Sequence, residues 1–252
     1  MRTIAVSGSA SGIGAAVRAR LEASGERVIG IDLRDAEVVA DLGTPGGRAA
    51  AVAAALEHAG GRLHGVVACA GVGPHVGVPA LVVSVNYFGA VALLEGLRPA
   101  LAASRGAAVA VGSNSALLAA ADTELADACL AGDEPHARAR ATAAPGPGAY
   151  AGAKLALHRW VRRQATGPAW AGAGVRLNAV APGATATPLL RAGLDDPILG
   201  PAIRAFPVPL GLGQAPQVAA PIVFLLGPDA AWCCGSILVA DGGSEALCAP
   251  DR

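Results

Sequence analysis

Short apolar runs alternate with Ala- and Leu-rich amphipathic segments along nearly the whole chain, and this alternation limits the possible folds more than any other feature. The predicted strands span 3–7, 27–32, 65–69, 107–112, 175–180 and 236–240. The predicted helices span about 12–24, 46–59, 81–103, 150–165 and 216–226. Strands that alternate with helices build a parallel sheet with helices on both faces. The sequence therefore predicts one α/β domain, residues 1–252, around a doubly wound parallel sheet.

Charge and the rarer residue types argue against several classes of protein. The 252 residues include 19 basic and 19 acidic ones without a basic stripe, so nucleic-acid binding is not expected. The five cysteines and five histidines lack the spacing of a disulfide framework or a metal site, which favours a reducing, cytoplasmic location and no metal. The uncharged run 76–94 is long enough to suggest a membrane span. Pro79, Ser84 and Asn86 within it favour a buried loop and helix instead, so no membrane partner is expected.

The first predicted strand runs directly into the glycine-rich stretch SGSASGIG, which contains Gly8, Gly12 and Gly14. At a strand-to-helix turn, such glycines let the backbone bend tightly and let a pyrophosphate approach the helix N-terminus. The second predicted strand ends at Asp32, whose carboxylate can accept hydrogen bonds from both hydroxyls of a ribose. Together these features predict a dinucleotide site on a Rossmann-type sheet.

Asp32 also bears on which dinucleotide binds. Its charge would repel a 2′-phosphate, and no Lys or Arg lies between Gly8 and Gly12 to attract one. Arg34 is near enough in sequence to offset part of this repulsion. The residues favour NAD(H) over NADP(H) as cofactor.

The stretch YAGAK places Tyr150 and Lys154 one helical turn apart, and Lys154 is the only lysine in the chain. Side chains at positions i and i+4 share one face of a helix. A phenol with a pKa of about 10 is a poor base at neutral pH until a nearby cation lowers that pKa. Lys154 and a positively charged oxidised nicotinamide would do so, and an arginine has the wrong shape to replace a compact ammonium.

Two further polar residues fit the same chemistry. Ser113 closes a predicted strand, where its hydroxyl can hydrogen-bond a reacting oxygen, and Ser115 is an alternative to it. Asn86 lies in VNYFG on the helix that precedes this strand. The predicted catalytic residues are therefore Asn86, Ser113, Tyr150 and Lys154.

The order of these motifs, together with CAG at Cys69–Gly71 and PGATATP from Pro182, resembles the short-chain dehydrogenase/reductase family. Three longer stretches, GIDLRDAEVVADL, VSVNYFGA and AGVRLNAVAPGATATPLL, are similar to bacterial members that act on hydroxysteroids and carbonyl compounds. The resemblance extends over nearly the whole chain and weakens between about 116 and 148.

The resemblance implies a role for each of these residues. Tyr150 is the expected general base in alcohol oxidation and the general acid in carbonyl reduction. Lys154 is expected to lower the pKa of Tyr150 and to bind the nicotinamide ribose. Ser113 is expected to hold the substrate oxygen, and Asn86 to anchor a water in a proton relay.

The resemblance also implies the contacts of the cofactor. Asp41 and Leu42 would cover the adenine, the backbone at Ala70–Gly71 would lie beneath the adenine-side ribose, and Thr185 and Thr187 would contact the carboxamide and pyrophosphate. The full predicted cofactor-binding set is Gly8, Ser11, Gly12, Ile13, Gly14, Asp32, Leu33, Asp41, Leu42, Ala70, Gly71, Tyr150, Lys154, Pro182, Gly183, Thr185 and Thr187.

In this family the segment after the PG motif, here about 188–212, usually closes over the substrate. It carries eight large apolar residues: Leu189, Leu190, Leu194, Ile198, Leu199, Ile203, Phe206 and Leu210. Such a segment either packs on a small core of its own or forms a pocket for a bulky hydrophobic alcohol or ketone, with a 3α-hydroxysteroid as the first expectation. Two alternatives stay open: an aryl or terpenoid alcohol as substrate, and a non-catalytic NAD-binding sensor or scaffold, which would not need all four predicted catalytic residues.

The segment at about 116–148, which we call the insertion, separates Ser113 from Tyr150 by 37 positions. It has a helical stretch rich in acidic residues and then the run PHARARATAAPGPG, which looks mobile. We expect the insertion to cover the helix surface through which tetramers of this family assemble. A homodimer through the 216–226 helix and the 236–240 strand is therefore expected. The alternative is that the insertion is a disordered loop and leaves the tetramer intact.

Overall fold

A computed structural model describes residues 1–118, 121–143 and 147–251. Its central sheet has seven parallel strands in the order β3-β2-β1-β4-β5-β6-β9, as expected for a doubly wound fold. The sheet strands are β1 (Thr3–Ser7), β2 (Arg27–Asp32), β3 (Val38–Val39), β4 (Gly65–Ala68), β5 (Ala107–Val111), β6 (Arg176–Pro182) and β9 (Ile237–Ala240). A separate parallel pair is formed by β7 (Thr185–Ala186) and β8 (Gly213–Gln214).

Helices cover both faces of the sheet. They are α1 (Gly12–Ala23), α2 (Pro45–Ala59), α3 (Pro79–Val83), α4 (Ala90–Ala102), α5 (Thr123–Leu130), α6 (Glu134–Ala143), α7 (Pro147–Ala165), α8 (Pro188–Asp195), α9 (Leu199–Ala205), α10 (Ala215–Leu226) and α11 (Ser244–Cys248). One face packs on α1 and α10, and the other on α2, α4 and α7.

The strands are apolar on both sides because they are buried on both faces. In β1, Ile4 and Val6 belong to the core beneath α1 and α10, whereas Ala5 belongs to the core beneath α2, α4 and α7. Successive side chains of a strand point to opposite faces, so a doubly covered strand reads as a continuous apolar run. This is why the sheet strands were recognisable in the sequence.

The predicted boundaries need modest corrections. Each predicted strand is present, with ends displaced by at most two residues, and the two-residue β3 was too short to predict. The single helix predicted over 81–103 is interrupted, since a π-helical turn at Ser84–Gly89 separates α3 from α4. This turn contains Asn86, and π-helical turns occur frequently at functional sites.

The stretch Pro79–Ala102 is long and apolar enough to cross a membrane by length and composition alone, with a mean hydropathy of 1.7. The protein buries 61% of its most apolar window. Within α4, four leucines are at most 1% exposed and pack in the core beside α2: Leu93, Leu94, Leu97 and Leu101. The stretch thus packs as the buried segment that the sequence predicted.

The insertion forms two helices, α5 and α6, where the sequence suggested one helix and a mobile run. Asp122 caps α5, its carboxylate accepting a 2.9 Å hydrogen bond from Leu125 N–H. Asp133 does the same for α6 by accepting from His136 N–H at 3.0 Å. Aspartate caps and the early Pro135 are ordinary signals of a helix start, so the prediction of mobility over 135–143 was wrong. Residues 119–120 and 144–146 of the predicted insertion lie outside the described residues.

The insertion packs on α7, the helix that carries Tyr150. A Cβ placed on Gly152 would lie 2.9 Å from Asp122 O and 3.0 Å from a methyl carbon of Leu125. Close contact with α5 therefore favours a glycine at this point of α7. Leu125 and Cys129 are fully buried beneath this contact, so α5 covers part of the α7 surface.

Candidate active site

A cavity of about 540 Å³ opens at the carboxyl ends of the sheet strands. In doubly wound sheets this edge is where ligands bind, and the volume is within the ordinary range for a ligand pocket. Every residue of the predicted cofactor-binding set lines it, as does Ser113. Asn86 is fully buried behind the wall of this cavity.

The glycine-rich turn has the backbone geometry that a close-approaching phosphate needs. Gly8 and Gly12 adopt φ angles of +69° and +53°, which side-chain-bearing residues rarely adopt. A Cβ on Gly14 would lie 2.0 Å from Gly8 O, so only glycine fits there. Ser11 precedes α1 without capping it through its side chain, which leaves the first amides of the helix available to an anion. The turn fits a pyrophosphate.

Asp32 is held at the end of β2, on the wall of the cavity. Its carboxylate accepts hydrogen bonds from Ala10 N–H at 3.0 Å and from Leu33 N–H at 2.7 Å. Arg34, the cation expected to offset Asp32, is 85% exposed and lies 3.9 Å from the Asp35 carboxylate.

A second cation, missed in the sequence, lies beside this site. Arg18 on α1 donates to both carboxylate oxygens of Glu37, at 2.9 and 2.6 Å, and to Glu22 at 2.8 Å. The hydrogen bond with Glu37 raises the pKa of Arg18 most, and this guanidinium is already paired with carboxylates on two sides.

Lys154 lies beneath the centre of the cavity and is 4% exposed. Its Nζ donates a 2.8 Å hydrogen bond to the carbonyl of Val111 at the end of β5. The same ammonium lies 5.9 Å from the centre of the Tyr150 ring, in keeping with the predicted shared helix face. Burial lowers the pKa of Lys154 to about 8.

The pKa of Tyr150 differs from the expectation. Burial raises it above its ordinary value, and the hydrogen bond with the Ser113 hydroxyl opposes that rise. The groups of the chain by themselves therefore do not produce the lowered pKa that the sequence suggested, because desolvation of the phenolate outweighs them.

Ser113 and Ser115 are linked to each other. Ser115 donates to Ser113 Oγ through its hydroxyl at 2.9 Å and through its backbone N–H at 3.2 Å. Both residues line the cavity, and the Ser113 hydroxyl opposes the rise that burial causes in the Tyr150 pKa. Through its two hydrogen bonds Ser115 orients the Ser113 hydroxyl.

Asn86 pairs with one residue through both ends of its amide. Val72 N–H donates to Asn86 Oδ1 at 2.9 Å, and Asn86 Nδ2 donates to Val72 O at 2.9 Å. A Cβ on Gly71 would lie 3.0 Å from Asn86 Oδ1 and 3.8 Å from Lys154 Nζ, so the three residues meet at one point. The amide holds the loop after β4 in place beside Lys154.

Comparison with known proteins identifies the family. The chain is 48% identical over 258 residues to the 3-alpha-hydroxysteroid dehydrogenase/carbonyl reductase of Comamonas testosteroni, and the match covers 100% of both chains. The chain belongs to the short-chain dehydrogenase/reductase family. Residues 136–245 also match a family model described as enoyl-(acyl carrier protein) reductase.

Solved structures agree with this assignment. The 3-alpha-hydroxysteroid dehydrogenase of Pseudomonas sp. B-0831, in complex with NADH, has 49% sequence identity and a TM-score of 0.95 over 99% of both chains. Levodione reductase has 25% identity and a TM-score of 0.77 over 97% of this chain and 98% of its own. This short-chain dehydrogenase/reductase is therefore an oxidoreductase, as its sequence predicted.

His158, one of the five histidines that received no role in the sequence analysis, lies one further turn along the same face of α7. It is 2% exposed, and neither ring nitrogen has a hydrogen-bond partner among the residues that the structure describes. Burial and the charge of Lys154 lower its pKa to about 4. A Cβ on Gly112 would lie 1.9 Å from His158 Nε2, so the neutral ring packs directly against the strand end that presents Ser113. Its i+4 spacing from Lys154 was a signal that could have found it.

Two other polar contacts hold the loops of this short-chain dehydrogenase/reductase. Ser7 Oγ accepts hydrogen bonds from the N–H groups of Cys69 and Ala70, both at 3.0 Å, which fixes the CAG turn over β1. Asn114 donates to the Asp241 carboxylate at 3.1 Å and so joins the ends of β5 and β9. The partners in these contacts could not be predicted from the sequence because they are distant in the chain.

The segment predicted to close over the substrate, 188–212, contains α8 and α9. Five of the eight predicted apolar residues line the cavity: Leu189, Leu190, Leu199, Ile203 and Phe206. Leu194 is not part of this lining, and Ile198 and Leu210 are 83% and 87% exposed. Pro74, Leu118 and Pro147 also line the cavity, and the last two lie in the insertion.

A metal site would need several His, Cys, Asp or Glu side chains close together. Residues 1–118, 121–143 and 147–251 contain no group of three or more His, Cys, Asp or Glu side chains that could hold a metal ion. The five cysteines are free thiols.

Proposed function

We propose that this enzyme interconverts a secondary alcohol and a ketone on a bulky apolar substrate, using NAD(H), with a 3α-hydroxysteroid and the matching 3-ketosteroid as the first candidates. The observation that carries the proposal is one cavity with three parts. Asp32 and the glycine-rich turn lie at one end, Tyr150, Lys154 and Ser113 lie at its centre, and an apolar wall faces them. The steroid dehydrogenases of Comamonas testosteroni and Pseudomonas support the choice of substrate.

The cofactor fits the residues present. The amides of the turn at Gly12–Gly14 would bind the pyrophosphate, Asp32 the adenine-side ribose, and Lys154 the nicotinamide ribose. When bound, NAD exchanges hydride with the substrate carbon and in its oxidised form brings a positive charge to the site. The ionised Asp32 disfavours a 2′-phosphate, and Arg18 is already paired with Glu37 and Glu22, so we propose NAD over NADP. The NADH complex of the Pseudomonas protein supports this choice.

The proton moves at the Tyr150 hydroxyl. In ketone reduction the phenol donates its proton to the substrate oxygen, and the raised pKa that burial gives Tyr150 keeps that proton in place until transfer. In alcohol oxidation the phenolate must form, which requires positive charge beside it. Lys154 supplies part of that charge, and the Ser113 hydroxyl holds the substrate oxygen as charge develops on it.

A proton relay from Lys154 to solvent is also proposed. Val72 makes one hydrogen bond to each end of the Asn86 amide, and the amide has a second N–H and a second oxygen lone pair with which it could anchor the relay water. The pairing with Val72 also holds the loop after β4 in place next to Lys154.

We further propose a cytoplasmic homodimer. Its five free thiols suit a reducing compartment. The edge strand β9 and the helix α10 expose the apolar side chains of Phe224, Leu238 and Val239, which are 44%, 38% and 37% exposed. This surface is the one predicted to pair, while α5 covers α7 on the other side of the molecule.

The decisive experiment is NADH formation from NAD across 3α-, 3β- and 17β-hydroxysteroids and simple aryl and terpenoid alcohols. We expect the highest kcat/KM for the 3α-hydroxysteroids. Faster turnover of an aryl or terpenoid alcohol than of any steroid would mean that such an alcohol, and not a steroid, is the substrate. NADH binding without turnover of any alcohol, or of any ketone in the reverse direction, would support a sensor or scaffold.

A further inference from the structure

Arg48, near the start of α2, is a buried cation outside the catalytic centre. It is 7% exposed, and its guanidinium lies 5.8 Å from the centre of the Phe88 ring. Its Nε donates to Leu42 O at 2.8 Å, and its Nη2 donates to Ser84 O at 3.0 Å and to Gly43 O at 3.4 Å. One guanidinium thus satisfies carbonyl groups from two separate segments.

The counter-ion of Arg48 comes from the insertion. Glu134, the first residue of α6, accepts hydrogen bonds from Nη1 at 2.6 Å and from Nη2 at 2.7 Å, across 86 positions of sequence. This bidentate geometry is the strongest form of a carboxylate–guanidinium pair. Burial by itself would raise the pKa of Glu134, but the hydrogen bonds with Arg48 and Ser84 and the charge of Arg48 hold it below its ordinary value. The pair is therefore ionised at neutral pH.

The segment that Arg48 holds forms part of the cavity. Asp41 and Leu42 line it, and Leu42 is 5% exposed. A Cβ on Gly89 would lie 3.1 Å from both Leu42 O and Leu42 Cβ, so the segment is pressed against the π-helical turn. Gly43 N–H donates to Asp41 Oδ1 at 2.8 Å, which completes a tight loop.

Removing Glu134 would leave a buried guanidinium without a counter-charge. An unpaired buried charge is costly, and the usual response is that it turns toward water. The carbonyls of Leu42 and Gly43 would then lose the donor that Arg48 provides, and buried carbonyls without partners are also costly. The loop would have to shift to reach other donors.

We propose that the insertion positions the cofactor site: Glu134 fixes Arg48, and Arg48 fixes the Asp41–Gly43 loop against the π-helical turn. Glu134 and Arg48 are positioning residues, since neither lines the cavity. The inference rests on the proposed function only in taking Asp41 and Leu42 as the wall that contacts the adenine of NAD.

The test is Glu134→Gln, which keeps the shape of the side chain and removes its charge. We expect the Kd for NADH, measured by fluorescence titration, to rise roughly 3- to 30-fold, the range typical of coupling through a packed network. The kcat at saturating cofactor should change less than the Kd, because Tyr150, Lys154 and Ser113 are not moved. Asp127→Asn is the matched control: it removes an exposed ion pair of the same insertion, with Arg159 at 3.1 Å, and should leave the Kd unchanged.

A measurement without cofactor separates positioning from general destabilisation. Hydrogen–deuterium exchange of a peptide covering residues 40–48 should accelerate in Glu134→Gln, while peptides from β1 and β5 keep their wild-type rates. Uniform acceleration across the protein would show that Glu134 only stabilises the fold and would overturn the inference.

A double variant, Arg48→Met with Glu134→Leu, covers the case in which Glu134→Gln fails to fold. Apolar replacement of both partners removes the buried charges, and such replacements often preserve stability. The loop carbonyls still lack a donor, so a raised NADH Kd in the folded double variant supports the inference and a wild-type Kd overturns it. Failure of wild type itself to bind NADH would instead refute the proposed function.

Discussion

The glycine-rich turn at Gly8–Gly14 and the insertion at 116–148 both contribute to the cavity wall, but they obtain their structures differently. The turn depends on backbone conformations that glycine alone adopts freely, with φ of +69° at Gly8 and +53° at Gly12. The insertion depends on apolar side chains such as Leu125 and Cys129, which are fully buried only because α5 packs on α7. A local backbone requirement is visible in a sequence, whereas a packing partner is not.

Tyr150→Phe tests the predicted general acid–base. Tyr150 comes just after the insertion in sequence and lines the same cavity as the glycine-rich turn. We expect kcat to fall at least about 100-fold, the lower range for loss of a general acid–base, because the phenylalanine ring has no proton to transfer. NADH binding should stay near that of wild type, since the glycine-rich turn and Asp32 are unchanged. An equal loss of NADH affinity would mean that Tyr150 is structural and that the catalytic residue lies elsewhere.

Acid sensitivity should distinguish the buried His158 of α7 from the exposed His136 of the insertion. The folded protein lowers the pKa of His158 from 6.5 to about 4, so between these values the unfolded chain binds a proton that the folded protein excludes. The free energy of unfolding is therefore undiminished above about pH 6.5 and falls as pH decreases toward 4, by up to about 3 kcal/mol.

Urea unfolding of His158→Asn at several pH values checks this expectation. The variant should lose less stability than wild type between pH 6.5 and 4. His136→Asn, on the exposed surface of α6, is the matched control and should follow wild type. Identical pH dependence in wild type and His158→Asn would show that other groups cause the acid sensitivity.

Asp32→Ala tests the nucleotide region alone. Hydrogen bonds to a charged group contribute about 1.5–3 kcal/mol, so the preference of kcat/KM for NAD over NADP should narrow by roughly tenfold or more. Glu57→Ala, which removes an exposed carboxylate of α2 that does not line the cavity, should leave the preference unchanged. A wild-type enzyme that already prefers NADP would show that the cations near Asp32 dominate over its charge.

The oligomeric state tests the insertion alone. Light scattering at micromolar concentration should give a mass near twice the 24.6 kDa of one chain, because α5 covers α7 and leaves α10 and β9 free to pair. Phe224→Ser on α10 should shift the mass toward one chain, whereas Ile198→Ser, 83% exposed on the substrate side, should not. A mass near four chains would mean that the insertion does not block the tetramer.

Much of the site could be read from residue types that a specific chemistry demands. The glycine trio, Asp32, Ser113, Tyr150 and Lys154 all line one cavity. The direction of the Tyr150 pKa shift could not be predicted from the sequence. Burial raises this pKa, and burial is a property of the packed protein. The sequence also overestimated the apolar wall of the cavity, since apolarity does not tell which residues of a segment point inward: Ile198, between α8 and α9, is 83% exposed.

By itself the sequence determined the alternation of strands and helices, and with it the parallel sheet and the position of the glycine-rich turn. These follow from periodicity and backbone conformation, which are local. The tertiary structure alone decided that Asn86 pairs with Val72, that His158 packs against Gly112, and that Glu134 meets Arg48 across 86 positions. Such contacts form only when distant segments are buried together. A buried polar group has no water to hydrogen-bond, so it must pair with a protein group beside it.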